Sequence, residues 1–228
     1  MSIDVTVLRV FTDNDGKFGN PLGVIDAAAA PEAARQQVAT QLGYSETIFV
    51  DLPRKGHPTA AGHIFTPSVE SPFVGHAVVG AAWWLRSRDA PVRSLRLPVG
   101  VVEVDCTAEL TAVRAFAEWT PDFVMHELIS PKDVIDADPS DYFDDFPHYV
   151  WAWIDRDAGQ LRSRSFAPEL GVQEDEATGS AAIRLSEQLS RDLSIIQGKG
   201  SVMHTFWSPV GWVSIAGRVS HAGLAHVG

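Results

Sequence analysis

One phrase occurs twice in this chain. Phe65-Thr66-Pro67 leads through Glu70 to Pro72-Phe73-Val74-Gly75-His76 and then into an apolar run over positions 77–85. Further on, Phe166-Ala167-Pro168 leads through Glu174-Asp175-Glu176 to Ala177-Thr178-Gly179-Ser180 and into Ala181-Ala182-Ile183-Arg184-Leu185. The second phrase follows the first by a little under half of the 228 residues. A repeat on that scale points to two similar lobes, each with a strand, a tight turn of small residues and a helix. A helix start carries backbone N–H groups without partners and the positive end of a dipole, so it can seat an anion. Two such starts facing each other across a cleft would suit a carboxylated small molecule.

The pattern between the repeats fits an α+β fold. Positions 5–11 read as a first strand, followed by turn chemistry at Asn14-Asp15-Gly16 and Phe18-Gly19-Asn20-Pro21 and a return strand over 22–25. Positions 31–42 read as a surface helix, with Pro31 near its start, Ala34, Val38 and Leu42 on one face and Gly43 as its cap. Glu46-Thr47-Ile48-Phe49-Val50 is β-rich. The run 77–88 is apolar nearly all round, and a helix apolar on every face is buried on every face. Its Ala and Gly residues would let a curved sheet wrap closely around it. Positions 94–105 and 111–119 read as strands. The acidic stretch 133–148, centred on Asp141-Tyr142-Phe143-Asp144-Asp145, reads as a solvated loop, because nothing places its carboxylates as metal ligands. A hairpin is expected where 150–154 and 161–166 flank Asp157-Ala158-Gly159, and closing strands over 212–221. The expected architecture is therefore two pseudo-symmetric lobes, 1–108 and 109–228, each a barrel-like sheet around a central helix, with the site in the cleft between them. No low-complexity linker separates the lobes, so they should form a tight pair.

Composition excludes several partners. A formal net charge of −11 leaves no basic footprint for nucleic acid or an anionic membrane. No run reaches the ~18 apolar residues of a membrane span. The single cysteine, Cys106, excludes an internal disulfide and fits a reducing cytoplasm, as does a start without a basic or apolar leader. The histidines have no metal-ligand spacing, and there is no phosphate-binding loop, dinucleotide glycine pattern or nucleophile elbow, so neither metal nor cofactor is expected. Seven tryptophans and apolar stretches such as Val150-Trp151-Ala152-Trp153-Ile154 suggest a sheet face covered by a second copy in a two-fold dimer.

Among polar residues, Glu46 stands at the mouth of an apolar strand. There desolvation would raise its pKa and suit it to general acid and base work, although an exposed junction glutamate would read the same. His76 titrates in the physiological range and can donate to a carboxylate or relay a proton. Asp175 could orient such a group or cap its own turn. Gly75, Gly179 and Ser180 mark the two helix starts. Cys106, inside a strand pattern, reads as a structural thiol.

At these residues the chain resembles the phenazine-biosynthesis isomerase (PhzF-like) family, a branch of the diaminopimelate-epimerase fold. The matching phrases are Val10-Phe11-Thr12, Phe18-Gly19-Asn20-Pro21-Leu22-Gly23-Val24, Ser45-Glu46-Thr47-Ile48-Phe49-Val50, the two repeated phrases, Gln197-Gly198 and Ile215-Ala216-Gly217-Arg218-Val219. The resemblance implies a homodimeric, cofactor-independent isomerase or epimerase, with Glu46 moving a proton between two carbons of a carboxylated substrate. It places His76 and Asp175 beside Glu46 as catalytic groups, and Asn20, Ser45, Gly75, Gly179 and Ser180 around the substrate. The sequence departs from the family in two places. The stretch from Trp119 to Val150 is shorter, which implies a trimmed second lobe. The Gly-Arg-Pro-Ser-type phrase after Gln197-Gly198 is replaced by Met203-His204-Thr205-Phe206-Trp207-Ser208-Pro209. These departures leave a second reading open, a non-catalytic binder of a small metabolite that keeps the fold. A two-thiol racemase, which the fold also supports, would need an opposed cysteine pair that this chain lacks.

Overall fold

A computed structural model describes residues 2–54, 56–168 and 171–228 of the chain. In the first half the strands are β1 (Ile3–Thr12), β2 (Asn20–Asp26), β3 (Glu46–Asp51), β4 (Thr59–Phe65), β5 (Glu70–Ser71), β6 (Ser94–Leu97), β7 (Gly100–Cys106) and β8 (Thr111–Ala115), with helices α1 (Arg35–Leu42) and α2 (Gly75–Ser87). The second half adds β9 (Val124–Glu127), α3 (Pro131–Asp136), β10 (His148–Asp155), β11 (Gln160–Ala167), β12 (Val172–Asp175), α4 (Gly179–Leu189), β13 (Leu193–Gln197), β14 (Ser201–Trp207) and β15 (Val213–Val227).

The first sheet closes on itself. Its order runs β1-β2-β3-β4-β6-β7-β8-β15, and β15 returns to pair with β1, which makes an eight-stranded barrel. Helix α2 fills it. Of its 13 residues only Trp83, Arg86 and Ser87 are not buried, as a helix without a polar stripe requires. Its small residues permit that fit: a Cβ on Gly80 would lie 2.3 Å from Leu22 Cδ2 and 3.0 Å from Val10 Cγ2. Phe11 breaks the inward–outward alternation of β1. It adopts φ 70° at an irregularity in the β1–β15 register, so Val10, Phe11 and Thr12 are all buried in succession.

The second sheet shares β15 and continues through β14, β13, β11 and β10 to β9, with β12 on β11. It curves around α4 but stays open, ending at β9. The apolar face of α4, including Ala181, Ile183 and Leu185, joins the same continuous core as α2, so the lobes form a tight pair.

The sequence-based elements are recovered with four differences. The closing strands read over 212–221 are one strand, β15, which runs on to Val227. Residues 31–42 split into a 3-10 turn (Glu32–Ala34) and α1, which Gly43 caps at φ 66° as expected. The strand read over 111–119 ends at Ala115 and gives way to a 3-10 turn, Ala117–Trp119. The acidic stretch read as loop overlaps α3, for which Ser130 is the N-cap, accepting from the Asp133 N–H with Pro131 in the first turn. A Ser-Pro-x-Asp phrase is a helix-start signature that its acidic surroundings obscure.

Candidate active site

Glu46 is the first residue of β3, in register with Leu22 of β2, and its side chain projects toward the start of α2. Its Oε2 lies 3.0 Å from His76 Nε2, and the two side chains are only 15% and 4% exposed. The approach is that of a close ion pair without an aligned hydrogen bond, so both atoms keep hydrogen-bonding capacity. The two helix starts abut. A Cβ on Gly75 would sit 3.4 Å from the Gly179 carbonyl carbon, and one on Gly179 would sit 3.5 Å from the His76 nitrogen. Side chains at these two positions would fill the contact between the helix ends, and one on Gly179 would also press on Phe11 Cε2 at 3.2 Å. Neither end is capped by a side chain: α2 begins after Val74, and Thr178 before α4 makes no capping bond. The first-turn N–H groups of both helices thus remain available to an anion.

Over these groups opens a cavity of about 350 Å³. Ser45, Glu46, His76, Asp175, Gly179 and Ser180 line it, so six of the eight candidates from the sequence share one surface. Gly75 lies at the junction of the helix starts, and Asn20 stands behind Asp175, donating from Nδ2 to Asp175 Oδ1 at 2.7 Å and to the Ala177 carbonyl at 2.9 Å. The remaining lining is mostly apolar: Phe73, Val74, Pro121, Phe123, Pro147, Ala167 and Val172, with the hydroxyls of Thr66, Ser71, Ser165 and Thr178. Among the described residues no Lys, Arg or Cys lines it. Cys106 lies on β7, half-buried beside Thr111. Thr66, Ser71 and Phe73 belong to the first repeated phrase and could have been read from it. Phe123 and Pro147 lie within the stretch from Trp119 to Val150 and carry no local signal of their role. No metal-type cluster of His, Cys, Asp and Glu occurs among the described residues, and no helix there is long and apolar enough to cross a membrane.

A family model described as phenazine biosynthesis-like protein (PhzC-PhzF) matches residues 8–111 and, again, 101–206. The chain belongs to this family. It is 30% identical over 209 residues to a trans-2,3-dihydro-3-hydroxyanthranilate isomerase of Pseudomonas fluorescens, covering 76% of this chain and 75% of that one. A Pseudomonas aeruginosa isomerase of the same name is 27% identical over 217 residues, covering 79% and 78%. Among solved structures, a PhzC/PhzF phenazine-biosynthesis protein of Clostridium difficile superposes with a TM-score of 0.79 over 99% of both chains at 22% identity. A probable proline racemase of Agrobacterium radiobacter superposes at 0.63 with 12% identity, covering 99% of this chain and 93% of that one. The last two likenesses concern the fold alone, and they agree with the diaminopimelate-epimerase-like architecture.

The electrostatics of this PhzF-family site correct one expectation. Burial, the largest single influence, would raise the Glu46 carboxyl, but the positive charge of His76 and the polar contacts of His76 and Ser45 together outweigh it and bring the carboxyl below its ordinary value. Burial alone would lower His76, but the carboxylates of Glu46 and, secondarily, Asp175 raise it above its ordinary value. The resting pair is therefore carboxylate and imidazolium. In this PhzF-family chain the glutamate rests as a carboxylate whose charge is balanced in place, and it is not a protonated acid held by an apolar wall.

Proposed function

We propose that this protein is a cofactor-independent isomerase that moves a proton between two carbons of a small carboxylated metabolite. One observation carries the reading: a buried Glu46–His76 pair at 3.0 Å, with hydrogen-bonding capacity unspent, beneath a mostly apolar cavity where two uncapped helix starts meet. The substrate carboxylate seats on the first-turn N–H groups, around Gly75 and His76 on one helix and Gly179 and Ser180 on the other. Glu46 Oε2 takes a proton from one carbon. The C–H electron pair shifts the double bond along the skeleton, and the same carboxyl returns the proton to the carbon that receives the charge. His76, as imidazolium, holds the developing negative charge and keeps Glu46 ionised between turnovers. The apolar walls exclude competing water. The relatives' name refers to an anthranilate-type carboxylate, which supports the substrate class.

The test begins with carboxylated metabolites selected by thermal stabilisation, since a ligand at 100 times its Kd adds about 2.7 kcal/mol. Each selected ligand is incubated with protein in heavy water. Incorporation of carbon-bound deuterium that falls at least ~10²-fold in Glu46→Gln, with binding retained, is the expected result. Full exchange in that variant removes Glu46 from the reaction. Tight binding with no exchange for any ligand would instead favour the second reading, a metabolite binder, for which the trimmed lobe is the motive.

A further inference from the structure

Strand β11 alternates, so Leu161, Ser163, Ser165 and Ala167 lie on one face of the open sheet. Leu161 packs into the core, Ser163 accepts from the Tyr149 hydroxyl at 2.9 Å, and Ser165 and Ala167 reach the cavity. Four hydroxyls of the lining have no part in the carboxylate seat or the proton transfer: those of Thr66, Ser71, Ser165 and Thr178. Three are spent on the protein itself. Thr66 Oγ1 donates to the Val69 carbonyl at 3.0 Å, and Ser71 Oγ donates to the Phe73 carbonyl at 3.3 Å. Thr178 Oγ1 accepts from Gln197 Nε2 at 2.8 Å and donates to Asp175 Oδ2 at 2.6 Å. Gln197 also donates to the Asp175 carbonyl at 2.9 Å, so that Asp175 is held from β13 as well as from Asn20 of β2. Ser165 differs from the other three. It is only 3% exposed, and its hydroxyl makes no hydrogen bond to any described residue. A hydroxyl withdrawn from water without a partner is a standing cost to the free protein, and a ligand group that meets it recovers that cost.

We propose that Ser165 is a specificity-determining residue, which with Asp175 forms a subsite for an uncharged hydroxyl of the substrate. Ser165 is the register partner of Asp175 in the antiparallel β11–β12 pair, and both line the cavity, so their side chains are neighbours on its wall. A hydroxyl is donor and acceptor at once. It can accept from the Ser165 O–H and donate to the Asp175 carboxylate, which has lone pairs beyond those taken by Asn20 and Thr178. A hydrogen or methyl in its place would leave Ser165 unpaired, and a second carboxylate would meet the charge of Asp175. The cavity, about 350 Å³, is at the lower end of ligand sites and has room for one ring with small substituents. The substrate class is thereby narrowed to a hydroxylated monocarboxylate of that size. The part of the subsite in turnover rests on the isomerase reading; the preference for a hydroxyl does not.

The experiment titrates the full-length protein calorimetrically with phenol, benzoate and 2-, 3- and 4-hydroxybenzoate, as wild type and as Ser165→Ala. In the wild type at least one hydroxybenzoate should bind about tenfold more tightly than benzoate, as one buried hydrogen-bonding site predicts. In Ser165→Ala that advantage should disappear, with benzoate itself held within about twofold of wild type. The variant should also melt no lower than wild type, because the hydroxyl it removes has no protein partner to lose. A lowered melting temperature with all five probes weakened alike would mark a structural hydroxyl and overturn the proposal. So would equal wild-type affinity for benzoate and the three hydroxybenzoates, a hydroxyl preference that survives in Ser165→Ala, or binding of none of the probes. Phenol separates this inference from the reading on which it builds. If the subsite holds and the carboxylate seat fails, phenol matches the best hydroxybenzoate and weakens about tenfold in Ser165→Ala. If the seat holds and the subsite fails, benzoate binds and a hydroxyl adds nothing. No turnover enters the measurement, so a protein that shows the preference yet exchanges no deuterium keeps the subsite and loses only the proposed reaction.

Discussion

Alanine is normally the better residue at the centre of a helix, and Gly80→Ala should nevertheless destabilise this protein. Propensity alone would favour alanine by about 1 kcal/mol. Against that, the added methyl would lie 2.3 Å from Leu22 Cδ2, 3.0 Å from Val10 Cγ2 and 3.6 Å from Leu8 Cδ1. All three neighbours are fully buried, so the leucine tip cannot swing aside into solvent. Overpacking of this kind costs ~1–3 kcal/mol and somewhat more where the contact is this short, leaving a net loss of about 1–2 kcal/mol. For a chain of this size the melting temperature should fall by roughly 2–8 °C, read by calorimetry or near-UV circular dichroism. Leu22→Ala alone opens a cavity and should cost ~2–5 kcal/mol. In the double variant the new methyl occupies part of that cavity, so the two losses should fall short of their sum by ~0.5–3 kcal/mol. A melting temperature that rises in Gly80→Ala, or strictly additive losses, would refute the argument that α2 depends on glycine for its fit in the barrel. Because His76 is on the same helix, a displacement of α2 would also change the 3.0 Å approach to Glu46.

Three further outcomes are expected. The folded Glu46 carboxyl lies below its ordinary 4.5, so its contribution to stability is present above pH 4.5 and is lost as the pH falls through the lowered value; His76 lies above its ordinary 6.5, so its contribution is full below pH 6.5 and is lost as the pH rises through the raised value. The melting-temperature difference between wild type and Glu46→Gln should therefore be largest between about pH 4.5 and 6.5 and shrink on both sides, whereas a flat difference would deny the ion pair. Cys106→Ser should keep deuterium exchange within about twofold of wild type, as its sulfur is outside the cavity, 3.9 Å from Thr111 Oγ1; loss of exchange would reopen thiol chemistry. With no Lys or Arg in the described lining to pair a second charge, dicarboxylates should bind at least roughly tenfold more weakly than monocarboxylates of the same skeleton in calorimetric titrations.

The parts of this molecule legible in the sequence are those where local pattern and global role coincide. The small, unstriped run at 77–85 announces a helix enclosed on all sides, and the matched glycines at 75 and 179 announce two helix starts of like kind. Glu46 and His76 were legible as candidates because each sits at a junction between a polar turn and an apolar element. The sign of their pKa shifts was not legible, because it depends on a 3.0 Å contact across thirty residues of chain. Phe123 and Pro147 reach the cavity only because β9 and β10 run parallel at the sheet's open edge, and parallel pairing leaves no short-range mark. The roles of Asn20 and Gln197 follow from hydrogen bonds spanning 155 and 19–22 positions, whose direction only the arrangement of donors reveals.

The pairing of β1 with β15 bears on the order in which this chain acquires its shape. Ile3 is opposite Val227 in the register, so the contact that seals the barrel joins the earliest strand to the latest. A nascent chain that has reached β8 holds seven of the eight barrel strands, with β1 and β8 as bare edges and α2 already demanding burial. For as long as the second lobe takes to emerge, those edges are open to pairing with other chains. β15 is thus also the strand that ends this exposure, and its lateness makes synthesis the stage at which the protein is most prone to aggregate.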